Sequence, residues 1–133
     1  MGMTAHVVFT SLDRELPATT SPTIISQVIR GFIGFDGLLM SDDLSMGALS
    51  GSLTDRTRAA LAAGCDVGLH CNGNLAEMQA VAGAAPELTG AAAWRADAAL
   101  AARQAPKPLD VAAAWAELAR MMDGATRAGT VVS

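Results

Sequence analysis

The 133-residue chain has no cluster of lysine and arginine, although it contains nine of these residues. Nucleic-acid-binding proteins usually present a basic patch, so the composition does not favour that class. The 13 acidic residues give a net charge of −4, which bears on solubility more than on fold. No apolar run reaches the ~20 residues that a membrane-spanning helix needs. We therefore expect neither a nucleic acid nor a membrane among the partners.

Cysteine is also scarce, since the chain has only Cys65 and Cys71. Two cysteines do not make a disulfide scaffold, and the N-terminus lacks the pattern of a secretory signal. A metal site built from these cysteines with His6 and His70 would match no established ligand spacing. We therefore expect a reducing, cytoplasmic location and no bound metal.

Short apolar runs alternate with segments of helical periodicity along the chain. This alternation predicts an α/β fold with a parallel sheet. Ser21 followed by Pro22 is a typical helix start, and apolar residues at helical spacing continue from Ile24 to Phe32. The pattern predicts strands at 5–9, 38–40 and 65–70, helices at 22–32, 53–63, 75–82, 90–104 and 110–123, and a frayed tail at 124–133.

Polar side chains follow two of the predicted strands. Ser41, Asp42 and Asp43 follow the second strand, and His70 ends the third. In parallel sheets, functional groups gather beyond the carboxyl ends of the strands. Two carboxylates at the end of a buried strand are costly unless they are solvated, paired or used. The pair is therefore either a helix cap or salt-bridged turn, or a reactive group facing a pocket.

The adjacent aspartates do not fit the two opposed carboxylates of a glycosidase. Successive side chains of a strand point to opposite faces, whereas the two catalytic groups must flank one bond. At most one of Asp42 and Asp43 can attack a sugar, and the other should orient its neighbours. A serine hydrolase using Ser41 is disfavoured because the Gly-x-Ser-x-Gly elbow is absent. His6, alone in the first predicted strand, is by itself typical of a structural histidine.

Three segments carry a family resemblance: MTAHV at 3–7, GFDGLLMSDDLSM at 34–46, and AGCD with LHCNG between 63 and 73. Together they resemble glycoside hydrolase family 3, and most closely its bacterial β-N-acetylhexosaminidases, which trim N-acetylglucosamine from peptidoglycan fragments during recycling. The resemblance implies that residues 1–105 form the last three βα units of a (β/α)8 TIM barrel, with a C-terminal helix and tail at 106–133.

The resemblance also implies roles for individual residues. Asp42 matches the family's nucleophile, which attacks the anomeric carbon in retaining hydrolysis. His6, Asp43, Met46 and His70 are expected to lie near the sugar and to bind it. The expected substrate is a muropeptide or related glycoside that contains N-acetylglucosamine. No metal or organic cofactor is implied.

Two family features have no counterpart in this sequence, namely the Lys-His sugar-binding motif and the flexible loop whose His-Asp pair acts as acid/base. General acid–base help is typically worth about 10²–10⁴ in rate. We therefore expect the isolated chain to be weakly active or inactive. The alternative is a non-catalytic partial barrel that binds sugar or self-associates through its open sheet edges.

Overall fold

The computed structural model describes residues 1–128, with side chains described as far as Met122. The chain divides into two compact units, Met1–Arg103 and Gln104–Ser133. The first unit contains a sheet of three strands, β1 (Gly2–Met3), β2 (Leu39–Asp43) and β3 (Val67–Leu69). Its helical elements are a 3₁₀ turn (Ala18–Thr20), a π-helix (Ile24–Phe32), α1 (Leu53–Ala63), α2 (Leu75–Ala84) and α3 (Gly90–Ala101). The second unit contains α4 (Val111–Ala128).

The sheet is parallel throughout, with strand order β1-β2-β3. Gly2 pairs with Leu39 in the first ladder, and Met40 pairs with Val67 in the second. The prediction of a parallel α/β fold is therefore confirmed. Because the strands run the same way, their carboxyl ends share one edge of the sheet, which we call the C-terminal edge.

The first strand was expected at residues 5–9, and this prediction is wrong. The backbone pairs with β2 earlier, through Gly2 and Met3, and the last such bond runs from Thr4 N to Met40 O at 2.9 Å. Val7, Val8 and Phe9 then leave the sheet and are 42–49% exposed. Their β-branched and aromatic character favours a strand, but in the described part of the chain no strand lies beside them, so tertiary context overrides propensity.

The segment after Pro22 is helical as predicted, but it is a π-helix from Ile24 onward. Ile33 N donates to Val28 O at 2.8 Å, a bond that spans five residues instead of four. The wider turn changes which positions share a face. Ile24 and Ile25 are buried as expected, whereas Phe32, predicted on the same apolar face, is 90% exposed.

Helix α1 has the bounds that the sequence predicts, and both of its ends follow from local chemistry. Ser52 and Asp55 form a reciprocal capping box at its start. Gly64 ends it with a φ of 116°, which only glycine adopts readily. A Cβ on Gly64 would also lie 2.9 Å from Cγ2 of Ile25. The close contact joins α1 to the π-helix in the core, whose buried members are Ile25, Leu39, Leu44, Leu49, Ala60, Ala63 and Cys65.

The remaining predicted elements exist with shifted bounds. The third strand is shorter than predicted, at Val67–Leu69, and α2 is two residues longer. Helix α3 ends at Ala101 instead of residue 104. Helix α4 continues to Ala128, so the frayed tail predicted from residue 124 is wrong as far as 128, and residues 129–133 lie outside the described residues.

The opposite, N-terminal edge of the sheet is held by Asp66, which comes immediately before β3. Its Oδ2 accepts hydrogen bonds from Arg30 Nη2 and from the backbone N of Leu39, both at 2.8 Å. Its Oδ1 accepts from Arg95 Nη1 at 3.0 Å, and Arg95 also pairs with Asp36. We call this group the Asp66 clamp. It joins the π-helix, β2 and α3 through one carboxylate that is 5% exposed.

Candidate active site

Strand β2 carries a register irregularity at the point where the two aspartates lie. Met40 pairs with Val67 and Asp43 pairs with Leu69, so three steps along β2 match two along β3. This is a β-bulge, which adds a residue, bends the strand and interrupts the alternation of its side chains. The expectation that Asp42 and Asp43 point to opposite faces assumes regular alternation, and the register shift lies within this stretch of β2. Bulges are frequent next to active sites because they re-aim a side chain.

The Asp42 carboxylate has few partners. It is half-buried, and its Oδ1 accepts a hydrogen bond from the backbone N of Asp43 at 2.8 Å. Within the described residues 1–122, no ion pair involves Asp42. The geometry therefore leaves a carboxylate with unused lone pairs at the C-terminal edge of the sheet. Such a group can act as a nucleophile or accept hydrogen bonds from a ligand.

Asp43, by contrast, is tied to its own loop. Its Oδ1 accepts from Ser45 N at 3.0 Å, and its Oδ2 accepts from Ser45 Oγ at 2.7 Å. These bonds, with smaller help from the Cys71 backbone and the His70 ring, hold the pKa of the Asp43 carboxyl below its ordinary value. Asp43 therefore stays ionised and orders the chain after β2.

The His6 ring joins this group from the other side. Its Nε2 lies 2.9 Å from the carbonyl oxygen of Asp43, and its Nδ1 lies 2.8 Å from Oγ1 of Thr19. Thr19 Oγ1 lies 2.9 Å from Thr4 Oγ1, and both threonines are buried. Because both ring nitrogens already have protein partners, His6 could contact a sugar through these atoms only after giving up one of them.

His70 lies between two carboxylates. Its Nδ1 is 3.8 Å from Oδ1 of Asp43, and its Nε2 is 3.4 Å from Oε2 of Glu77 in α2. The side chain is 5% exposed, and neither nitrogen has a hydrogen-bond partner within the described residues. The ring is therefore close to both carboxylates without hydrogen-bond geometry to either of them. Asn72 Nδ2 donates to the same Glu77 oxygen, which ties the first turn of α2 to the loop after β3.

Met46 lies in the turn after β2 and is 45% exposed. Its backbone N donates to Asp43 O at 3.1 Å, and its carbonyl accepts from Arg56 Nη1 at 3.0 Å. Arg56 also donates to the carbonyls of Leu44 and Gly51, so a side chain of α1 fastens the whole turn. Met46 is thus held near Asp43 by its backbone, with its thioether side chain open to solvent.

The alternative nucleophile, Ser41, is fully buried. Its Oγ accepts a hydrogen bond from Leu69 N at 2.9 Å, within the bulge. The hydroxyl therefore replaces a missing backbone acceptor in the β2–β3 ladder. A serine so placed is a structural residue, and the hydrolase alternative loses its nucleophile.

The structure therefore gathers His6, Asp43 and His70 around the end of β2 that carries Asp42. Sequence reasoning missed Thr19, Arg56 and Glu77. Thr19 lies between the predicted first strand and the predicted first helix, and nothing in its spacing marks it. Glu77 had a usable signal, because it stands three residues after the helix cap Asn74.

A cleft of about 300 Å³ lies beside this group, between the loops that follow β2 and β3. Its lining is mostly polar and includes Ser45, Arg56, Asn72 and Glu77.

Among the described residues, no group of three or more His, Cys, Asp or Glu side chains is arranged to hold a metal ion. None of the helices in the described part has the length and apolar character needed to cross a bilayer.

Comparison with known families gives this arrangement a class. The profile of the "Glycosyl hydrolase family 3 N terminal domain" matches residues 1–101. The chain therefore belongs to glycosyl hydrolase family 3. The "Beta-hexosaminidase" of Alkalilimnicola ehrlichii is 50% identical over 72 residues, which are 53% of this chain and 20% of that protein.

Solved structures point to the same group. The β-N-acetylglucosaminidase of Thermotoga maritima is 32% identical with a TM-score of 0.62, over 77% of this chain and 25% of that one. The family 3 β-N-acetylglucosaminidase of Paenibacillus sp. str. FPU-7 is 27% identical with a TM-score of 0.63, over 82% and 24%. The chain thus spans about a fifth of its curated relative and a quarter of these solved structures.

Proposed function

We propose that Asp42 is the nucleophile of a retaining β-N-acetylhexosaminidase. In this reaction Asp42 attacks the anomeric carbon, the aglycone oxygen leaves with a proton from an acid, and water then releases the sugar from the glycosyl-enzyme. The observation that carries the proposal is the contrast within the aspartate pair. Asp42 keeps unused lone pairs at the C-terminal edge, whereas Asp43 spends both oxygens on Ser45.

The relatives' names support the sugar class. A "Beta-hexosaminidase" and two β-N-acetylglucosaminidases share this segment, and the proposed substrate is a glycoside with terminal N-acetylglucosamine, such as a muropeptide from peptidoglycan recycling in the cytoplasm. In the proposed sugar site, Asp43, Met46 and His70 border the sugar. His6 is proposed to border it as well, with its ring nitrogens engaged by the protein.

We further propose that β1, β2 and β3 are the last three strands of a (β/α)8 barrel. The parallel order and the position of the polar groups at one edge support this. A barrel of that kind has about 250 residues. The remaining strands would bring the acid/base and most sugar contacts, so the 133 residues alone are expected to turn over substrate weakly or not at all.

A chimera tests the nucleophile separately from the rest of the barrel. In the A. ehrlichii β-hexosaminidase, the segment equivalent to residues 1–101 of this chain, which the family profile matches, is replaced by those residues. Hydrolysis of a chromogenic N-acetylglucosaminide should persist, and Asp42→Asn in the chimera should lower kcat by at least about 10³-fold. A fluoro-sugar inactivator should give a covalent adduct that peptide mass spectrometry locates on Asp42.

Asp43→Asn is the matched control, because it changes the neighbouring carboxylate in the same way. We expect it to leave the adduct on Asp42. An adduct on another residue, or an Asp42→Asn chimera with full activity, would refute the assignment. With the 133-residue chain itself, we expect no adduct, and an adduct on Asp42 would contradict the proposed incompetence.

The second candidate function is self-association without catalysis. It is favoured by apolar side chains that are exposed near the unpaired edge of β1, where Met3, Val7, Val8 and Phe9 are 42–52% exposed. Open strand edges pair readily with further strands. Light scattering during size-exclusion chromatography separates the two. A dimer that Met3→Lys converts to monomer favours association through this edge, whereas a monomer at all concentrations rejects it.

A further inference from the structure

The buried Thr19 hydroxyl has two side-chain partners. Oγ1 lies 2.9 Å from Thr4 Oγ1 and 2.8 Å from His6 Nδ1, and the Thr19 side chain is fully buried. A hydroxyl carries one proton, so it can donate to one of these partners and must accept from the other. Distances alone leave the direction open.

The carbonyl of Asp43 fixes the direction. His6 Nε2 lies 2.9 Å from this oxygen, which can only accept, so Nε2 carries a proton. In the neutral ring Nδ1 is then an acceptor, so the Thr19 hydroxyl donates to it. Thr19 in turn accepts from Thr4. With a neutral ring, this carbonyl thus sets the direction of every hydrogen bond in the series Thr4, Thr19, His6, Asp43.

This series continues the sheet beyond the point where its backbone pairing ends. The last backbone bond between the first two strands is Thr4 N to Met40 O. Beyond Thr4, the His6 ring connects the chain to β2 through its hydrogen bond to the Asp43 carbonyl. The Asp43–Leu44 peptide is held on both sides, since its oxygen accepts from His6 and its N–H donates to Leu69 O at 2.9 Å.

We propose that Thr19 is a positioning residue, which holds His6 as the neutral Nε2–H tautomer so that the ring fixes the end of β2 beside Asp42. The importance of this position for catalysis rests on the proposed nucleophile. The tautomer of His6 and its hydrogen bond to the Asp43 carbonyl do not rest on the proposed nucleophile, and both can be measured without a hydrolysis assay. Thr19 then has a role in the site without touching the sugar.

The test is long-range ¹H–¹⁵N NMR on the full 133-residue chain with ¹⁵N-labelled histidine, at a pH above the ordinary histidine pKa of about 6.5. The chain has two histidines, so His6→Gln assigns both sets of signals. In the unmodified protein we expect His6 to be protonated at Nε2 and bare at Nδ1. A protonated Nδ1 would overturn the proposal without any variant.

Substitutions at Thr19 then test the hydroxyl. Thr19→Val keeps the shape but removes the donor, so the Nδ1 signal should move toward that of a nitrogen without a hydrogen bond. Exchange of the Leu44 amide should rise by roughly 10- to 100-fold, the range expected when a buried polar group loses its partner. Thr19→Ser should restore both values. Unchanged His6 signals in Thr19→Val would refute the role.

Thr20→Val is the matched control, because Thr20 Oγ1 donates to Pro17 O at 3.4 Å and is not bonded to His6. It should leave the His6 signals in place. Thr4→Val covers the case in which Thr19→Val does not fold. It removes the first donor but keeps the Thr19 hydroxyl, so His6 should stay the Nε2–H tautomer, and a change to Nδ1–H would contradict the stated direction. If these results hold while the Asp42→Asn chimera stays active, the proposed nucleophile is refuted and the role of Thr19 is not.

Discussion

The two edges of the sheet treat an aspartate in opposite ways. At the N-terminal edge, Asp66 is 5% exposed and its two oxygens receive hydrogen bonds from Arg30, Leu39 and Arg95. At the C-terminal edge, Asp42 is half-buried with a single backbone donor among the described residues. Both oxygens of Asp66 are thus engaged in hydrogen bonds that hold the fold together.

The difference separates a carboxylate that stabilises the fold from one that is available to a ligand, at opposite edges of the same small sheet. A carboxylate with satisfied lone pairs has nothing left to offer a ligand, whereas a carboxylate with few partners contributes little to stability but can react. In barrel folds the N-terminal face serves stability and the C-terminal face carries catalytic groups. The four predictions below test whether this division holds.

The largest contrast is expected between the cysteines that flank β3. Cys65, on the N-terminal side, is buried, and burial raises the pKa of its thiol to about 11. Cys71, on the C-terminal side, is exposed. Since the thiolate is the reacting form, the pKa alone lowers the reactivity of Cys65 about a hundredfold, and lack of access lowers it further. A thiol reagent should modify Cys71 quickly in the native protein and Cys65 only after denaturation.

The variant Cys71→Ser provides the control, since it should abolish the fast phase and leave the slow one. Two equally fast thiols in the native chain would mean that the N-terminal side of β3 is open. That result would contradict the difference between the two edges of the sheet.

Asp66→Asn should destabilise the protein strongly, by about 3 kcal/mol, because it leaves two arginines beside a buried amide. Asp42→Asn makes the same chemical change at the other edge, and we expect a change within about 0.5 kcal/mol. Urea denaturation followed by circular dichroism measures both. Equal losses of stability in the two variants would contradict the comparison.

Arg95→Ala should cost less than Asp66→Asn, about 1–2 kcal/mol, because Arg30 and Leu39 continue to neutralise and bond Asp66. The same denaturation experiment applies. Arg103→Ala removes an exposed arginine just beyond α3, and it should have little effect. A loss as large as that of Asp66→Asn would mean that Arg95 alone holds the clamp.

The smallest expected effect is the contribution of Asp43 to stability at acidic pH. Its folded pKa lies below the unfolded value of about 3.9, so its ionised form favours the folded state at higher pH. This contribution is complete above pH 3.9 and disappears as the pH falls through the folded pKa. Asp43→Asn should therefore reduce the stability at neutral pH slightly and flatten its decline below pH 4. An unchanged acid profile would mean that the Ser45 bonds do not persist in solution.

The sequence was sufficient where local chemistry decides the structure. Helix α1 was predicted with its observed bounds at 53–63, and β2 was found from its apolar run, although the structure extends it to Asp43. The aspartate pair was identified because carboxylates after a buried strand are unusual. Each of these signals lies within a few residues of the feature that it predicts.

The sequence failed where distant segments decide. The first strand was placed at 5–9 because Val7, Val8 and Phe9 favour strands, but the partner β2 pairs with Gly2 and Met3. The bulge at Ser41 depends on the register of β3, and the burial of Thr19 depends on His6 and Thr4. No local pattern encodes these contacts.

The Asp66 clamp also has a consequence for the order of assembly during synthesis. The bonds that join Asp66 to Arg30 and Arg95 span 36 and 29 residues, and the bond from Arg95 to Asp36 spans 59. On a ribosome the N-terminal residues emerge first. His6, Asp43, His70 and Glu77 are therefore all outside the exit tunnel before Arg95 is. The group around Asp42 can therefore form while Asp66 is bonded to Arg30 and Leu39 but not yet to Arg95. A nascent chain with Glu77 outside the tunnel and Arg95 still inside it would have the C-terminal edge with only part of the Asp66 clamp.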